Sequence, residues 1–220
     1  MALSTQQKII RIAAESFARN GFAETNMREV AERAQLSLPV IYHHFGSKER
    51  LYQAVCTSVF GKKSQRLIAA LRERDRSDKD RLLSYMIVLA TDLSEDRIFF
   101  NLLHREYLGR DIAGQEKVSR ESFGPPFTEC VEICNRLAPE RNSVFLCVSL
   151  HGLLLGTADV IRFGIYLNPL LRALKDPSTL AKHVLITLLP DLNWGPIDIG
   201  SQPVAGAAAL SAKKTRRRAR

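Results

Sequence analysis

The chain has 220 residues, of which 45% are apolar and 25% are charged, and these values fit a water-soluble globular protein of one or two domains. Its net charge is +9 at pH 7, but six positive charges lie in residues 213–220, a segment without acidic residues. The basicity of the whole chain is therefore no evidence for a basic DNA-binding face. The basic segment 213–220 predicts either a disordered arm that contacts nucleic acid or an acidic surface non-specifically, or a solvated tail without a partner.

The first predicted helix has clear start and stop signals. Ser4 and Gln7 have capping-box spacing, in which each side chain satisfies a free backbone N–H group. Apolar residues then recur at helical spacing as far as Phe17. Asn20-Gly21 ends the helix, because glycine readily adopts the left-handed conformation of a C-cap. These signals predict a helix that packs through one apolar face.

Two shorter helices follow, joined by a tight turn. Thr25 or Asn26 caps the earlier one, and Gln35-Leu36-Ser37 leaves room only for a turn. The later one spans about residues 38–45, with Pro39 in its first turn, where no amide donor is needed. Two short helices at this spacing match the helix-turn-helix motif, whose second helix lies in the major groove of DNA.

This spacing divides the motif into an inner and an outer face. The residues expected to point inward and lock the two helices against the first helix are Val30, Ala31, Ala34, Leu36 and Ile41. The residues expected on the outward face of the later helix and its start are Ser37, Leu38, Pro39, Tyr42 and His43. The motif therefore predicts a DNA-binding surface on that helix.

From about residue 62 onward the pattern predicts five or six longer helices and no strands. Pro125-Pro126 is expected to kink or break the stretch 116–137. Residues 142–163 form a long, nearly all-apolar helix, and residues 179–189 form the last one. From residue 195 glycine, proline, alanine and serine predominate, which indicates a linker before the basic tail. The fold class is all-α.

The four cysteines and the apolar stretches point to the cytoplasm. None of the cysteines forms a C-x-x-C pair, and the start of the chain lacks the pattern of a secretory signal, so we expect free thiols in a reducing compartment. The most apolar stretch, 144–158, is shorter than the roughly 20 residues of a membrane span. We expect no membrane association.

Residues 5–58 strongly resemble the N-terminal domain of the tetracycline-repressor (TetR) family. The resemblance rests on the run from Thr25 to Ala34, on Ser37, and on the signature Tyr-His-His-Phe-x-Ser-Lys-Glu-x-Leu at residues 42–51. It implies a DNA-binding domain over residues 1–58, a helical ligand-binding and dimerisation domain over 59–194, and a disordered linker and tail over 195–220. It also implies a place in the bacterial cytoplasm, with the nucleoid.

The resemblance assigns DNA contacts by position. Tyr42 and Lys48 match residues that grip phosphates, and the start of a helix at Ser47-Lys48 offers free N–H groups to a phosphate independently of any family. The full set of expected DNA-contacting residues is Thr25, Arg28, Ser37, Leu38, Pro39, Val40, Tyr42, His43 and Lys48.

The chain departs from the family pattern in two places. Gln35 replaces the usual glycine of the turn, at a cost of roughly 1–2 kcal/mol if it is left-handed. Leu38-Pro39-Val40 replaces hydrogen-bonding residues, which favours contact with thymine methyl groups and readout of DNA shape.

The C-terminal region predicts a homodimer that binds a small effector. Gly152 and Gly156, four residues apart, allow close approach of another helix. The family plan implies a four-helix bundle between two subunits, which also uses Leu185 and Leu188. The alternative is that the helix with the two glycines is a core helix of a monomer. The candidate effector-binding residues, each of which is alternatively structural, are Tyr85, Phe100, His104, Phe127, His151 and Arg162. We expect an unknown, largely apolar effector and no other cofactor.

Three other functions are weighed against this one. Cys130 with Cys134, and Cys147 with His151, have the i, i+4 spacing of metal ligands, but such cysteines are more often core residues, and we expect no metal. No catalytic motif occurs, so we expect no enzyme. The alternative to a sequence-specific regulator, most simply a repressor on a palindromic operator, is an architectural protein that binds DNA through its basic tail.

Overall fold

The structure is a computed structural model that describes residues 4–108, 115–164, 171 and 174–196. These residues form nine α-helices: α1 (Thr5–Glu24), α2 (Met27–Ala34), α3 (Leu38–Phe45), α4 (Lys48–Leu71), α5 (Asp78–Glu95), α6 (Arg97–Leu108), α7 (Gln115–Leu137), α8 (Ser143–Gly164) and α9 (Pro177–Leu188). The predicted all-α fold is confirmed. Residues 197–220, most of the predicted linker and tail, lie outside the described part of the chain.

The helix ends follow from local capping. Ser4 and Gln7 form the predicted capping box of α1, with Oγ of Ser4 accepting from the Gln7 N–H at 3.2 Å. Asn26 caps α2 by accepting from the Arg28 N–H at 2.9 Å. Ser47 caps α4 in the same way through the Arg50 N–H. Because each cap satisfies an otherwise free amide, the sequence specified these starts within a residue.

Gly21 breaks α1 without ending it. Its φ of 84° lies in the region that favours glycine, and the helix resumes to Glu24, three residues beyond the predicted end. A side chain here would also collide with the guanidinium of Arg105, which donates to the Arg19 carbonyl at 3.0 Å. Glycine at position 21 therefore permits both the bend in α1 and the close approach of α6.

Gln35, which stands in place of the usual glycine of the turn, adopts the strained left-handed conformation. Its φ is 56° and its ψ is 43°, and its N–H donates to the Glu32 carbonyl at the end of α2. We expect Gln35→Gly to raise the free energy of unfolding by about 0.5–1 kcal/mol, because relief of the left-handed strain outweighs the extra entropy of glycine in the unfolded chain.

The measurement is urea denaturation of Gln35→Gly beside Gln35→Ala. The alanine variant also loses the long 3.5 Å contact between Lys8 Nζ and Gln35 Oε1 but keeps the strain, so it should be no more stable than the parent protein. A glycine variant that unfolds at lower urea than the alanine variant contradicts the prediction.

The long helix α4 joins the two halves of the chain. It begins in the N-terminal unit at Lys48 and runs unbroken to Leu71, across the boundary predicted at residues 58 and 59. It packs against α1 on one side and against α5 and α7 on the other. Buried residues from both halves, such as Phe17 and Phe60, belong to one continuous apolar core. The two halves of the chain are therefore joined by a shared helix and a shared core.

The predicted break at Pro125-Pro126 is wrong. Helix α7 runs from Gln115 to Leu137 with both prolines inside it. Proline removes an N–H donor, but its φ of about −65° is helical, so a helix held by its neighbours continues through it. Here α7 packs against α4 and α8 along its length.

Helix α8 is apolar on both its buried and its outward sides. It has 22 residues and a mean hydropathy of 1.9 over its most apolar window, so it is long and apolar enough to cross a membrane, unlike the shorter stretch considered from sequence. The core helix of a water-soluble protein meets the same criteria, and one such helix is weak evidence for a span.

Candidate nucleic-acid interface and effector cavity

The helix-turn-helix is assembled as its spacing predicted. Val30, Ala34 and Ile41 are completely buried, Ala31 is nearly so, and Leu36 is half-buried against the same core. The small side chains on α2 let α3 cross it closely, and both helices pack on α1 or α4. The unit therefore presents α3 rigidly, as DNA recognition requires.

The outer face of α3 is open to solvent. Arg28 on α2 and four residues at or on α3 are exposed, namely Ser37, Pro39, Tyr42 and His43, whereas Leu38 and Val40 are half-buried. Tyr42 keeps 40% of its surface exposed, which is unusual for an aromatic side chain in a packed domain. The structure thus brings these predicted contact residues onto one accessible surface.

Thr25 is the exception among the predicted contacts. It is 3% exposed, and its hydroxyl donates to the Gly21 carbonyl at 2.5 Å. The break at Gly21 leaves that carbonyl without its usual helical partner, and Thr25 satisfies it. In this conformation the side chain is a structural cap and is not available to a phosphate.

Lys48 lies at the N-terminus of α4, as predicted, but its ammonium is already engaged. Nζ donates to the Ala23 carbonyl at 2.9 Å and lies 5.0 Å from the centre of the Phe22 ring. One hydrogen bond leaves two donors on the ammonium. The contact therefore fixes the position of the charge beside the free N–H groups of α4 without cancelling it.

An apolar cavity of about 120 Å³ lies within the C-terminal helices. Three of the predicted effector-binding residues, Tyr85, Phe127 and His151, line it together. The rest of its lining is Leu67, Leu89, Leu93, Phe99, Leu103, Tyr107, Phe123, Pro126 and Leu155. His151 Nε2 and the hydroxyl of Tyr85 are 2.6 Å apart and form the polar point of the wall.

The other three predicted effector residues form a separate cluster between α6 and α8. His104 Nε2 lies 2.7 Å from Asp159 Oδ2, and its ring packs on Phe100. Arg162 lies over the same Phe100 ring at 3.7 Å and donates to the Leu93 carbonyl at 2.7 Å. None of the three lines the apolar cavity, because these contacts draw them to the outer side of α6.

Helix α6 carries contacts that sequence reasoning missed. Leu103 and Tyr107 face the cavity, while the adjacent Glu106 accepts from the Tyr52 hydroxyl on α4 at 2.6 Å. Burial raises the pKa of Glu106 above its usual range, against the effect of that hydrogen bond. The one signal for this contact in the sequence was a glutamate, Glu106, within an apolar stretch. Its partner Tyr52 could not be deduced from the sequence, because it lies 54 residues away.

In the part of the chain that the structure describes, no group of three His, Cys, Asp or Glu side chains is placed to hold a metal ion.

A family model described as bacterial regulatory proteins of the tetR family matches residues 9–55. This range contains α2, α3 and the start of α4, the elements that carry the open surface of α3. The match to the TetR family therefore concerns these N-terminal helices. The family resemblance expected from residues 25–51 is confirmed.

One curated relative of this chain is the transcriptional regulator UidR of Escherichia coli (strain K12). The two are 35% identical over 72 residues, which are 33% of this chain and 35% of UidR. The chain thus matches about a third of the length of that relative.

Solved structures extend the likeness to the whole fold. A TetR-family regulator from Bordetella parapertussis 12822 superposes with a TM-score of 0.67 at 17% identity, over 86% of this chain and 95% of that one. AibR, in complex with isovaleryl coenzyme A and operator DNA, superposes with a TM-score of 0.66 at 15% identity, over 85% of this chain and 99% of that one. At these identities the likeness shows the fold, including its C-terminal helices.

Proposed function

We propose that this protein is a non-enzymatic, effector-responsive transcriptional regulator of the TetR family that binds a palindromic operator as a homodimer, most simply as a repressor. The observation that carries the proposal is the solvent-open face of α3 in a helix-turn-helix unit that matches the family model. A single such unit reads a half-site, and two on a two-fold axis read a palindrome whose half-sites lie about 34–36 Å apart or a multiple of that.

The dimer would form along α8. An outward row of small and apolar residues, the α8 stripe, follows the i, i+4 ridge of the helix at Val144, Val148, Gly152, Gly156 and Val160, and it includes Phe145 and Phe163 beside its two ends. The phenylalanines at its two ends are 73% and 70% exposed, and the glycines at its centre leave a groove for a partner helix. Such a contiguous exposed apolar row is typical of a protein interface.

The predicted contribution of α9 to the dimer is corrected in part. Leu185 is fully buried within the protomer, where α9 packs against α5 and α8, so it cannot contact a second subunit in this conformation. Leu188 is half-buried, and the exposed residues on α9 are His183 and Thr187. The interface would therefore combine the α8 stripe with this more polar side of α9.

The size of the cavity limits the effector. A dry cavity of 150 Å³ holds benzene, so about 120 Å³ admits a group of roughly that bulk and no more. AibR was crystallised with isovaleryl coenzyme A, whose short branched acyl group is of this size. We propose an effector with a small branched or aromatic group in the cavity and a hydrogen-bonding atom beside His151 and Tyr85.

The cavity can act on the DNA-binding unit through α6. Leu103 and Tyr107 would move with an occupant, and the same turn of helix holds Arg105 against the end of α1 and Glu106 against Tyr52 of α4. A shift of α6 would thereby rotate the helix that begins at Lys48. This rotation of α4 would change the distance between the helix-turn-helix units of the two subunits in the dimer.

The function is tested by selection from a random duplex pool at about 150 mM salt, near physiological ionic strength. The full chain and a variant with the basic residues of 213–220 changed to serine are compared. An enriched palindrome with both proteins supports the proposed regulator. Binding without enrichment that disappears in the tail variant favours the architectural alternative.

The effector is tested by thermal denaturation with a panel of short acyl and aromatic compounds, free and as coenzyme A thioesters. A compound at a hundred times its Kd stabilises by about 2.7 kcal/mol, and it should do so for the parent protein but not for Leu155→Phe, which fills the cavity. Equal shifts for both proteins would place binding elsewhere.

Lys48→Ala should weaken operator binding on all sequences and lower the slope of log K against log salt by about 1, because one phosphate contact is lost. The matched control is Lys62→Ala, an exposed lysine about 21 Å farther along α4, which should leave the slope unchanged. Equal slopes for Lys48→Ala and the parent protein would contradict the assigned role.

A further inference from the structure

Three of the four cysteines meet where α7 packs against α8. Cys130 makes hydrogen-bonding contacts with the thiols of both Cys134 and Cys147, and all three side chains are buried. The fourth, Cys56, lies apart on α4, 4.0 Å from the carboxylate of Glu106. The protein thus contains a buried thiol cluster, defined by residues 130, 134 and 147, and one separate buried thiol.

The thiol cluster is continuous with the polar point of the cavity. Cys147 Sγ lies 3.7 Å from His151 Nδ1, which also contacts the Cys147 carbonyl at 2.7 Å. On the other side of the ring, His151 Nε2 lies 2.6 Å from the Tyr85 hydroxyl. An N–H on Nδ1 can therefore face both the carbonyl and the sulfur, while the hydroxyl of Tyr85 serves the second nitrogen in either protonation state.

The environment separates the acidities of the two central thiols. The hydrogen bond from Cys130 outweighs burial and, with His151, lowers the pKa of Cys147 to about 6. The same contacts with Cys134 and Cys147 raise the pKa of Cys130 well above its usual range. Burial acts to lower the pKa of His151, but its contact with Cys147 raises it. Of these two thiols Cys147 is therefore the more acidic, and Cys130 is the one that keeps its proton more firmly.

The apolar cavity lies next to the thiol cluster. Phe127, whose carbonyl is 3.9 Å from Cys147 Sγ, and His151 both line it, so Cys147, which is completely buried, lies directly behind its wall. A volume of about 120 Å³ holds one or a few molecules the size of water or hydrogen peroxide, but not a tripeptide. A large thiol reagent is therefore excluded, and a small one reaches Cys147 through a local movement of Phe127 or His151.

We propose that Cys147 is a peroxide-reactive thiol and that Cys130 is its resolving partner. Cys147 attacks one oxygen of hydrogen peroxide as the thiolate, after its proton has passed to His151, and the O–O bond breaks. The products are a sulfenic acid on Cys147 and a hydroxide ion, which takes that proton from His151 and becomes water. The sulfur of Cys130 then attacks the sulfenic sulfur, the proton of Cys130 leaves with the sulfenic hydroxyl as water, and a disulfide forms. Two thiols are oxidised and one peroxide is reduced to two waters, and the bond links α7 to α8.

The test uses the full chain and does not depend on DNA or effector binding. The protein is treated with hydrogen peroxide at pH 7, alkylated, digested and analysed by mass spectrometry. We expect a peptide pair joined through Cys130 and Cys147, lighter by two hydrogens, and oxidation of Cys147 about a hundredfold faster than that of Cys56, because the pKa of Cys56 is raised to about 12. Oxidised glutathione should not modify Cys147 in the folded protein.

Variants separate the two roles. Cys130→Ser should leave a sulfenic acid on Cys147 that dimedone traps, Cys147→Ser should leave Cys130 reduced, and Cys134→Ser should still form the disulfide. Each is checked for an unchanged helical circular dichroism spectrum. Oxidation of Cys56 as fast as Cys147, or a peroxide-treated protein with Cys147 still fully alkylated, overturns the proposal for the parent protein itself.

Discussion

Val160→Glu is expected to convert the protein to a monomer and to weaken operator binding by about 10²–10⁴-fold. Val160 is 65% exposed on the α8 stripe, one turn beyond Gly156, where a second copy of α8 would cross. The change places a carboxylate in an apolar contact from both subunits at once, and such a charge is costly to bury without a partner. The loss of operator affinity follows because, in a dimer, the second DNA-binding unit binds its half-site at an effective concentration in the millimolar range. A monomer lacks this advantage.

The matched control is Ala69→Glu. It also changes an exposed apolar residue on a helix to glutamate, so the protomer carries the same added charge, but it lies on α4 away from the stripe. Both variants are compared by sedimentation and by operator titration at one salt concentration. A Val160→Glu protein that still sediments as a dimer would remove α8 from the interface, and equal losses for both variants would point to charge alone.

Local physics explains what the sequence predicted well. Caps such as Ser4, Asn26 and Ser47 act on amides within three residues, so the starts of three helices were correct. The exposed face of α3 was predicted because helical periodicity alone decides which side chains point outward from a packed pair.

Contacts between distant segments explain what the sequence predicted badly. Tyr85 and His151 meet across 66 residues, whereas His104 pairs with Asp159, and nothing in the local pattern separates one pair from the other. Leu185 was placed in the interface by the four-helix bundle that the family plan implies, but packing against α5 decides which side of α9 is buried. These outcomes depend on how helices pack, and an amphipathic pattern specifies that only loosely.

Asp92→Ala is expected to lower the free energy of unfolding by about 2–3 kcal/mol, a large effect for a single polar side chain. Asp92 is 2% exposed, and its Oδ1 accepts from Lys63 Nζ at 2.9 Å and from Arg66 Nη1 at 2.6 Å, which ties α5 to α4. Removal of one partner of a buried ion pair costs about 3–5 kcal/mol. The lower figure applies here because Arg66 is half exposed and Lys63 keeps Asp96 at 2.8 Å.

Asp92→Asn is the control that separates charge from shape. Its amide oxygen can still accept the two hydrogen bonds, and its NH₂ group takes the place of Oδ2, which has no hydrogen-bond partner in the described part of the chain. Urea denaturation should therefore place this variant between the parent protein and Asp92→Ala. If both variants lose the same stability, the charge on Asp92 is what matters. If neither variant loses stability, the ion pairs do not stabilise the contact between α4 and α5. The position of α4 next to the helix-turn-helix then depends only on its apolar packing against α1 and α7.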